Sequence, residues 1–356
     1  MKTDNVDSAD CPAGEFAVRL VEWQRKHGRH NLPWQNTRDA YRVWLSEIML
    51  QQTQVATVMD YYARFLARFP DVTALANASQ DDVLGMWSGL GYYSRARNLH
   101  RCAQVVCAEH QGRFPQSAAL LQTLPGIGPS TAAAIASLCF DERISILDGN
   151  VRRVVSRYLG FAGDLAIATQ ERALWALAKG LLPTVERASD MPVYTQALMD
   201  LGATVCTRRQ PHCHACPFQS DCVGLASKQT AKLPVKTKKL KRSAESHWVL
   251  IARTNSGEIM LEKRAEKGIW AGMYALPMFE SYEALVRAIP NADPLDVQTL
   301  RPFVHVLTHK DLHLHPVLAN VTSQWIISET ANWYQREQWS VLGLPTPVRN
   351  LLSSLT

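Results

Sequence analysis

Leu124–Pro125–Gly126–Ile127–Gly128 is a tight turn between helical segments, and the helix that follows it begins near Ser130–Thr131. Glycine reaches positive φ without steric cost. With no Cβ in the way, backbone N–H groups and a helix N-terminus can approach a phosphate here, a grip on DNA that reads no bases. Taken alone, the same five residues also describe an ordinary helix connector. Twenty residues beyond Gly128 lies Asp148, in Leu147–Asp148–Gly149–Asn150–Val151, where the next helix starts. An aspartate there caps the helix. Capping also fixes the carboxylate and keeps it ionised, because backbone donors favour the charged form.

Upstream, Tyr41, Trp44, Leu45, Ile48 and Met49 recur at i, i+3, i+4, i+7 and i+8 between Asp39 and Gln52, one apolar stripe of an amphipathic helix. Glu47 stands roughly 60° around that helix from Trp44, at the border of the stripe. A carboxyl at such a border is partly desolvated, which raises its pKa and lets it carry a proton near neutral pH. Similar helical patterns recur to about residue 205. Clear β alternation appears only later, in His247–Ala252 and Phe303–Leu318, with the turn signal Asn255–Ser256–Gly257 after the first of these. The expected architecture is a mainly helical body followed by a smaller α+β domain.

Bulk properties agree with this division. A chain of 356 residues, 47% hydrophobic and 20% charged, holds enough apolar material for two or three cores. No apolar run reaches the roughly 18 residues of a membrane helix, and the first fourteen residues do not read as a secretory signal. The expected location is cytoplasmic, nucleoid-associated in a bacterium. A net charge of +6 favours a polyanionic partner. Between Lys228 and Arg242 seven basic residues occur with no acidic one, which reads as an interdomain tether that either is solvated or touches phosphates.

Four of the eight cysteines, Cys206, Cys213, Cys216 and Cys222, form C-x6-C-x2-C-x5-C. Such crowding in a chain without a secretory signal means metal ligation, and the spacing leaves open a Zn²⁺ site or an iron–sulfur cluster. Arg208, Arg209 and His212, between the first two ligands, give the loop a positive edge suited to phosphates.

Taken together, Val43–Trp44–Leu45–Ser46–Glu47–Ile48–Met49–Leu50–Gln51–Gln52–Thr53, the Leu-Pro-Gly-Ile-Gly turn, Leu-Asp-Gly-Asn and the cysteine spacing resemble the helix-hairpin-helix (endonuclease III-like) DNA glycosylases, and within them the adenine-glycosylase (MutY) family. The match is close over residues 15–225 and looser beyond. It implies three segments: a glycosylase body over 1–226, a six-helix barrel with a cluster module at 206–222; a basic linker over 227–243; and a Nudix-like 8-oxoguanine recognition domain over 244–356. The implied cofactor is one 4Fe–4S cluster per chain. The implied partner of this monomeric protein is double-stranded DNA with adenine opposite 8-oxoguanine or guanine.

The resemblance also implies roles. Glu47 protonates adenine, Asp148 stabilises the sugar cation, and Asn150 orients the site. Gln52 and Tyr92, the latter in Gly89–Leu90–Gly91–Tyr92–Tyr93–Ser94–Arg95–Ala96–Arg97–Asn98, match side chains that enter the duplex when a base is flipped. Gly126, Gly128 and Ser130 match the hairpin's DNA contacts, Thr308–His309 matches a Ser-His pair on the 8-oxoguanine side, and Trp34, Gln35 and Gln196 match the adenine pocket.

The departures from the pattern are informative. Where lyase relatives carry a Schiff-base lysine the chain has Ser130, which forms no imine, and a second family lysine is replaced by His30. After Gly272 there is no R-E-x-x-E-E run, so Nudix-type hydrolysis is not expected. One rival reading is an endonuclease III-type glycosylase/lyase for oxidised pyrimidines, disfavoured by Ser130 and the C-terminal domain. Another is a non-catalytic iron–sulfur DNA-binding module, which has no need of a half-buried acid at Glu47.

Overall fold

The computed structural model describes residues 14–237, 241–289 and 297–355. The chain forms two compact units, each drawn from separate stretches: residues 1–52 with 105–238, and 53–104 with 239–356. Helices run in the order α1 (Glu15–His27), α2 (Ala40–Leu50), α3 (Val55–Arg68), α4 (Val72–Asn77), α5 (Gln80–Trp87), α6 (Ser94–His110), α7 (Ala118–Leu121), α8 (Pro129–Phe140), α9 (Gly149–Leu159), α10 (Ala168–Gly180), α11 (Met191–Thr204) and α12 (Val223–Ala226). After them come β1 (Ser243–Arg253), β2 (Ile259–Lys263), β3 (Tyr274–Ala275), β4 (Met278–Phe279), α13 (Tyr282–Ala288), β5 (Val297–Thr299), β6 (Phe303–Val306), β7 (Lys310–Asn320), β8 (Ala331–Tyr334), α14 (Arg336–Val341) and α15 (Thr346–Ser353). The helical body and smaller α+β domain expected from the sequence are both present. Among the described residues no helix is long and apolar enough to cross a membrane.

In the first unit, α11 is the central helix and packs on α1, α8 and α9. Phe16, Leu20, Val155, Tyr194, Leu198 and Phe218 are buried in its core, with Phe16 stacked on Phe218 at 4.2 Å. The apolar stripe of α2 is buried as its periodicity requires: Tyr41, Trp44, Leu45, Ile48 and Met49 are each at most 4% exposed. Asp39 caps α2 by accepting from the Tyr41 and Arg42 N–H groups.

The basic tether is not simply solvated. Leu233 is buried, Arg157 Nε donates to its carbonyl at 3.2 Å, and Leu165 N donates to Val235 O at 3.0 Å. Thr237 N donates to Asp164 at 3.1 Å, so the described part of the tether lies docked on the first unit. Lys228, Lys232 and Lys236 stay exposed, so the backbone pairing and the one buried leucine dock the segment without taking those charges out of solvent. Residues 238–240 lie outside the described residues.

In the second unit the sheet runs β3-β2-β1-β7-β5, with β4 on β1, β6 on β7 and β8 on β2. β1 and β7 pair in parallel over their full lengths, Ser243 opposite Lys310 to Arg253 opposite Asn320. The stretch 303–318, read from alternation as continuous β structure, is an antiparallel hairpin of β6 and β7 with Leu307–Thr308–His309 at its tip. Helices from residues 53–104 belong to this unit. Asp81 at the start of α5 receives Lys263 Nζ of β2 at 2.7 Å and Tyr274 OH of β3 at 3.0 Å. Tyr93 OH accepts from Thr346 N at 3.2 Å, and Arg349 of α15 donates to Ser88 Oγ at 3.1 Å.

Candidate active site

The Leu124–Gly128 turn bends through Gly126 at φ +76° and delivers the chain to α8 with Gly128 as its N-cap and Pro129 at its first turn. No side chain caps α8, leaving its first N–H groups to an outside acceptor. A Cβ on Gly128 would meet nothing within 4 Å, so internal packing does not call for glycine there and its surroundings are open.

Ser130 is turned inward. Its Oγ accepts from Leu147 N at 3.1 Å, tying α8 to the residue just before Asp148. Asp148 caps α9 by accepting from Val151 N at 2.8 Å, and Asn150 Oδ1 accepts from Arg153 at 2.9 Å. Arg153 also donates to Gly202 O at 2.7 Å and to Cys206 O at 2.6 Å. One arginine thus links the start of α9 to the first residue of the cysteine loop. Glycine at 202 permits this approach, since a Cβ there would stand 2.7 Å from that of Asn150. Sequence reading missed Arg153, although its i+3 spacing from Asn150 on a helix was the available signal.

Glu47 sits on α2, half-buried, and its carboxyl pKa is pushed up from 4.5 to about 7, first by burial and second by the charge of Asp148. The two carboxyls therefore feel one another, and the environment drives their roles apart: one holds a proton near neutrality while the other is capped by a backbone donor. Gln51 Nε2 reaches Thr131 Oγ1 at 3.4 Å and fastens the end of α2 to α8. The next residue, Gln52, is exposed and left-handed at φ +58°.

Of the pocket candidates, Trp34 is buried, and Gln35 Oε1 accepts from Leu32 N at 3.3 Å while its Nε2 is buried without an acceptor among the described residues. Gln196 Nε2 donates to Asp200 at 2.9 Å. Asp200, fully buried, also receives Arg29 N at 2.9 Å and its Nε at 2.8 Å. Neither Arg29 nor Asp200 stands out in the sequence.

Cys206, Cys213, Cys216 and Cys222 line one cavity of about 30 Å³ together with Arg157. Arg157 donates to Cys206 Sγ at 3.4 Å, and its own carbonyl accepts from Cys222 Sγ at 3.4 Å. Burial and the three neighbouring thiols push Cys216 up to about 12. Among the described residues no three His, Cys, Asp or Glu side chains converge to hold a single metal ion. Four sulfurs on one Zn²⁺ must each stand about 2.3 Å from a common centre, whereas a polynuclear cluster takes its thiolates at separate corners. Four thiols around one cavity are an all-sulfur donor set, chemistry that suits a thiolate-bound Zn²⁺ or iron–sulfur cluster.

In the second unit Tyr92, 45% exposed and left-handed at φ +49°, receives a hydrogen bond from Thr308 Oγ1 to its hydroxyl at 3.2 Å. Tyr92, Arg97, Trp270, His305, Thr308 and His309 line a pocket of about 560 Å³. Thr308 and His309 are exposed at the β6–β7 tip, which Arg242 braces by donating to Thr308 O at 3.0 Å.

A glycine turn before an uncapped helix, followed by a helix capped by an aspartate that faces a protonatable glutamate, is the arrangement of a helix-hairpin-helix DNA glycosylase. Residues 45–179 match the HhH-GPD superfamily of base excision DNA repair proteins, and residues 247–354 match the NUDIX domain. The adenine DNA glycosylase of Buchnera aphidicola subsp. Schizaphis graminum (strain Sg) is 36% identical over 344 residues, 95% of this chain and 97% of that one. That of Mus musculus is 45% identical over 225 residues, 61% of this chain and 42% of its own. A thermostable thymine-DNA glycosylase structure superposes with a TM-score of 0.53 at 27% identity, over 60% of this chain and 95% of that one. An endonuclease III–DNA complex shares the fold at a TM-score of 0.50 and 18% identity, covering 60% of this chain and 94% of the other. The chain belongs to the adenine DNA glycosylase family, enzymes of base excision repair that cut an N-glycosidic bond in DNA.

Proposed function

We propose that the enzyme removes adenine paired with 8-oxoguanine, or with guanine, and does so without a lyase step. The observation that carries the chemistry is the raised pKa of Glu47 beside Asp148. The C1′–N9 bond is shielded inside a duplex, so the adenine is flipped out first. Adenine is a poor leaving group, and Glu47 supplies the proton that N7 needs. Positive charge then grows on the sugar, and the ionised Asp148 stabilises it before water attacks, a division of labour like that of glycoside hydrolysis. Asn150, tied to Arg153, holds the start of α9 in register. Gln35 Nε2, a buried donor with no acceptor among the described residues, supports a purine ring nitrogen as its partner. The N–H groups of Gly126, Gly128 and Ser130 at the N-terminus of α8 support a phosphate grip, with Gln52 and Tyr92 entering the gap left by the base. Ser130 forms no imine, and its hydroxyl is engaged by Leu147 N, which supports hydrolysis alone.

Adenine is a normal base, so selectivity must be read from the opposite strand, and the exposed Thr308–His309 tip bears donors suited to a purine edge. A duplex with adenine opposite 8-oxoguanine should lose adenine and stay unbroken until alkali is added, while a thymine glycol duplex should be untouched. In the Thr308→Ala/His309→Ala double variant, the excision ratio between the 8-oxoguanine and guanine mispairs should fall about fivefold to a hundredfold, the worth of a good polar base contact. An unchanged ratio would remove the reading role from this tip. Strand scission without alkali would return the lyase alternative.

The four cysteines would hold a 4Fe–4S cluster as thiolates, and the cluster's part is to close the 206–222 loop and hold Arg208 and Arg209 at its edge. Purified protein should be yellow-brown and carry about four irons with little zinc. A colourless, zinc-loaded and fully active preparation would contradict the assignment. The expected setting is the cytoplasm, as a monomer on DNA.

A further inference from the structure

Tyr92 holds a backbone conformation that residues with a Cβ rarely adopt, and it does so without burying its ring. It closes a run of left-handed residues with Gly89 at φ +103° and Gly91 at φ +72°. Such strain persists only where the surroundings over-determine it. Part of that support is local: Tyr61 OH donates to Ser88 O at 2.7 Å, and Trp87 Nε1 donates to Gly91 O at 3.2 Å.

A further share comes from Arg95, three residues into the chain beyond Tyr92 and only 8% exposed. Its NH2 donates to Gly91 O at 3.2 Å, to Leu90 O at 3.4 Å and to Thr53 Oγ1 at 3.1 Å. The guanidinium carbon also lies 5.4 Å from the centres of both the Tyr92 and the Trp87 rings. One planar cation therefore holds the two carbonyls that precede Tyr92 and covers the underside of its ring. Burial of this arginine is costly enough to push its pKa down to about 10, so packing alone does not account for a charge at this place. Lysine cannot reproduce the arrangement, because its ammonium has donors for the carbonyls but no planar face to lie against the Trp87 and Tyr92 rings.

We propose that Arg95 is a positioning residue for adenine excision, which presents the partly exposed Tyr92 ring as a preformed wedge for the DNA stack. This rests on the reading of Tyr92 as a side chain that enters the duplex. A wedge already fixed before binding loses little freedom on entry, which explains why a strained tyrosine is held instead of a relaxed one.

A double-mutant cycle on full-length, cluster-bearing protein tests it. Arg95→Lys should slow single-turnover adenine release from the 8-oxoguanine mispair by about tenfold, as a misplaced group does. It should also reduce the fluorescence rise of a 2-aminopurine placed beside the mispair, which reports opening of the stack. In a Tyr92→Leu background the same substitution should change either signal less than about twofold, because the residue it positions is gone. Should Arg95→Lys fail to fold, Thr53→Val, which removes one anchor of the guanidinium, enters the same cycle with a loss of about threefold expected. Losses that multiply between positions 92 and 95 would make Arg95 a merely structural residue and overturn the proposal. A Tyr92→Leu enzyme with the parent's rate and fluorescence would remove the reading of Tyr92 itself, and the proposal with it.

Discussion

Glu47→Gln should lower single-turnover adenine release by roughly a hundredfold to ten-thousandfold while leaving duplex affinity near that of the parent. The amide keeps the shape of the carboxyl and gives up the proton. In the parent, activity should fall as the pH rises through about 7, where Glu47 loses its proton. The residual activity of the variant should lack that limb. A stability signature accompanies the kinetic one. The folded carboxyl titrates near 7 and the unfolded one near 4.5, so between these values the folded state binds more protons and stability falls with rising pH. Above 7 the full penalty of about 3 kcal/mol applies. Glu47→Gln should therefore raise the melting temperature at pH 8, with the gain shrinking toward pH 5. Release within about tenfold of the parent, about 1.4 kcal/mol of transition-state stabilisation, would end the general-acid assignment.

Asp148→Asn should cost roughly a hundredfold to a thousandfold in excision, because the sugar cation loses its stabilising negative charge. The fold should be spared. Asparagine caps helices as well as aspartate does, so Val151 N keeps an acceptor and α9 its start. The coupling to Glu47 supplies an independent readout: with the charge at 148 gone, the second cause of the raised Glu47 pKa is removed. The alkaline limb of the remaining activity should then move to lower pH. An unchanged limb, even with a large loss of rate, would mean that the two carboxyls do not sense one another as described.

Much of this site was legible in local sequence because its parts are local. The α2 stripe, the glycine turn and the Asp148 cap depend on neighbours within a few residues, and each takes the conformation that its residue types favour. Even the half-buried state of Glu47 followed from its angle on α2. What stayed hidden depends on distant partners. Ser130 reads as a substitute for lysine, but its bond to Leu147 N is set by how α8 meets the segment before α9. Arg95 received no role of its own from the sequence, yet it is buried against Trp87 and Tyr92 and bonded to Thr53. The 228–237 stretch carries the composition of a free tether, and one leucine with a few backbone bonds was enough to dock it. Alternation over 303–318 announced strands without showing where the chain reverses, since Thr308–His309 lacks the glycine or asparagine that marks most tight turns.

The second unit takes residues 53–104 from one part of the chain and 239–356 from another. On a translating ribosome, α3 to α5 emerge while the 155 residues 88–242 must still be made before β1 begins, so their partners arrive late. During that interval Asp81 waits for Lys263 and Tyr274, and Ser88 for Arg349. Nascent chains stalled short of the last helix thus hold a folding core in the first unit and uncovered helices of the second, the state on which chaperones would act and from which aggregation would begin.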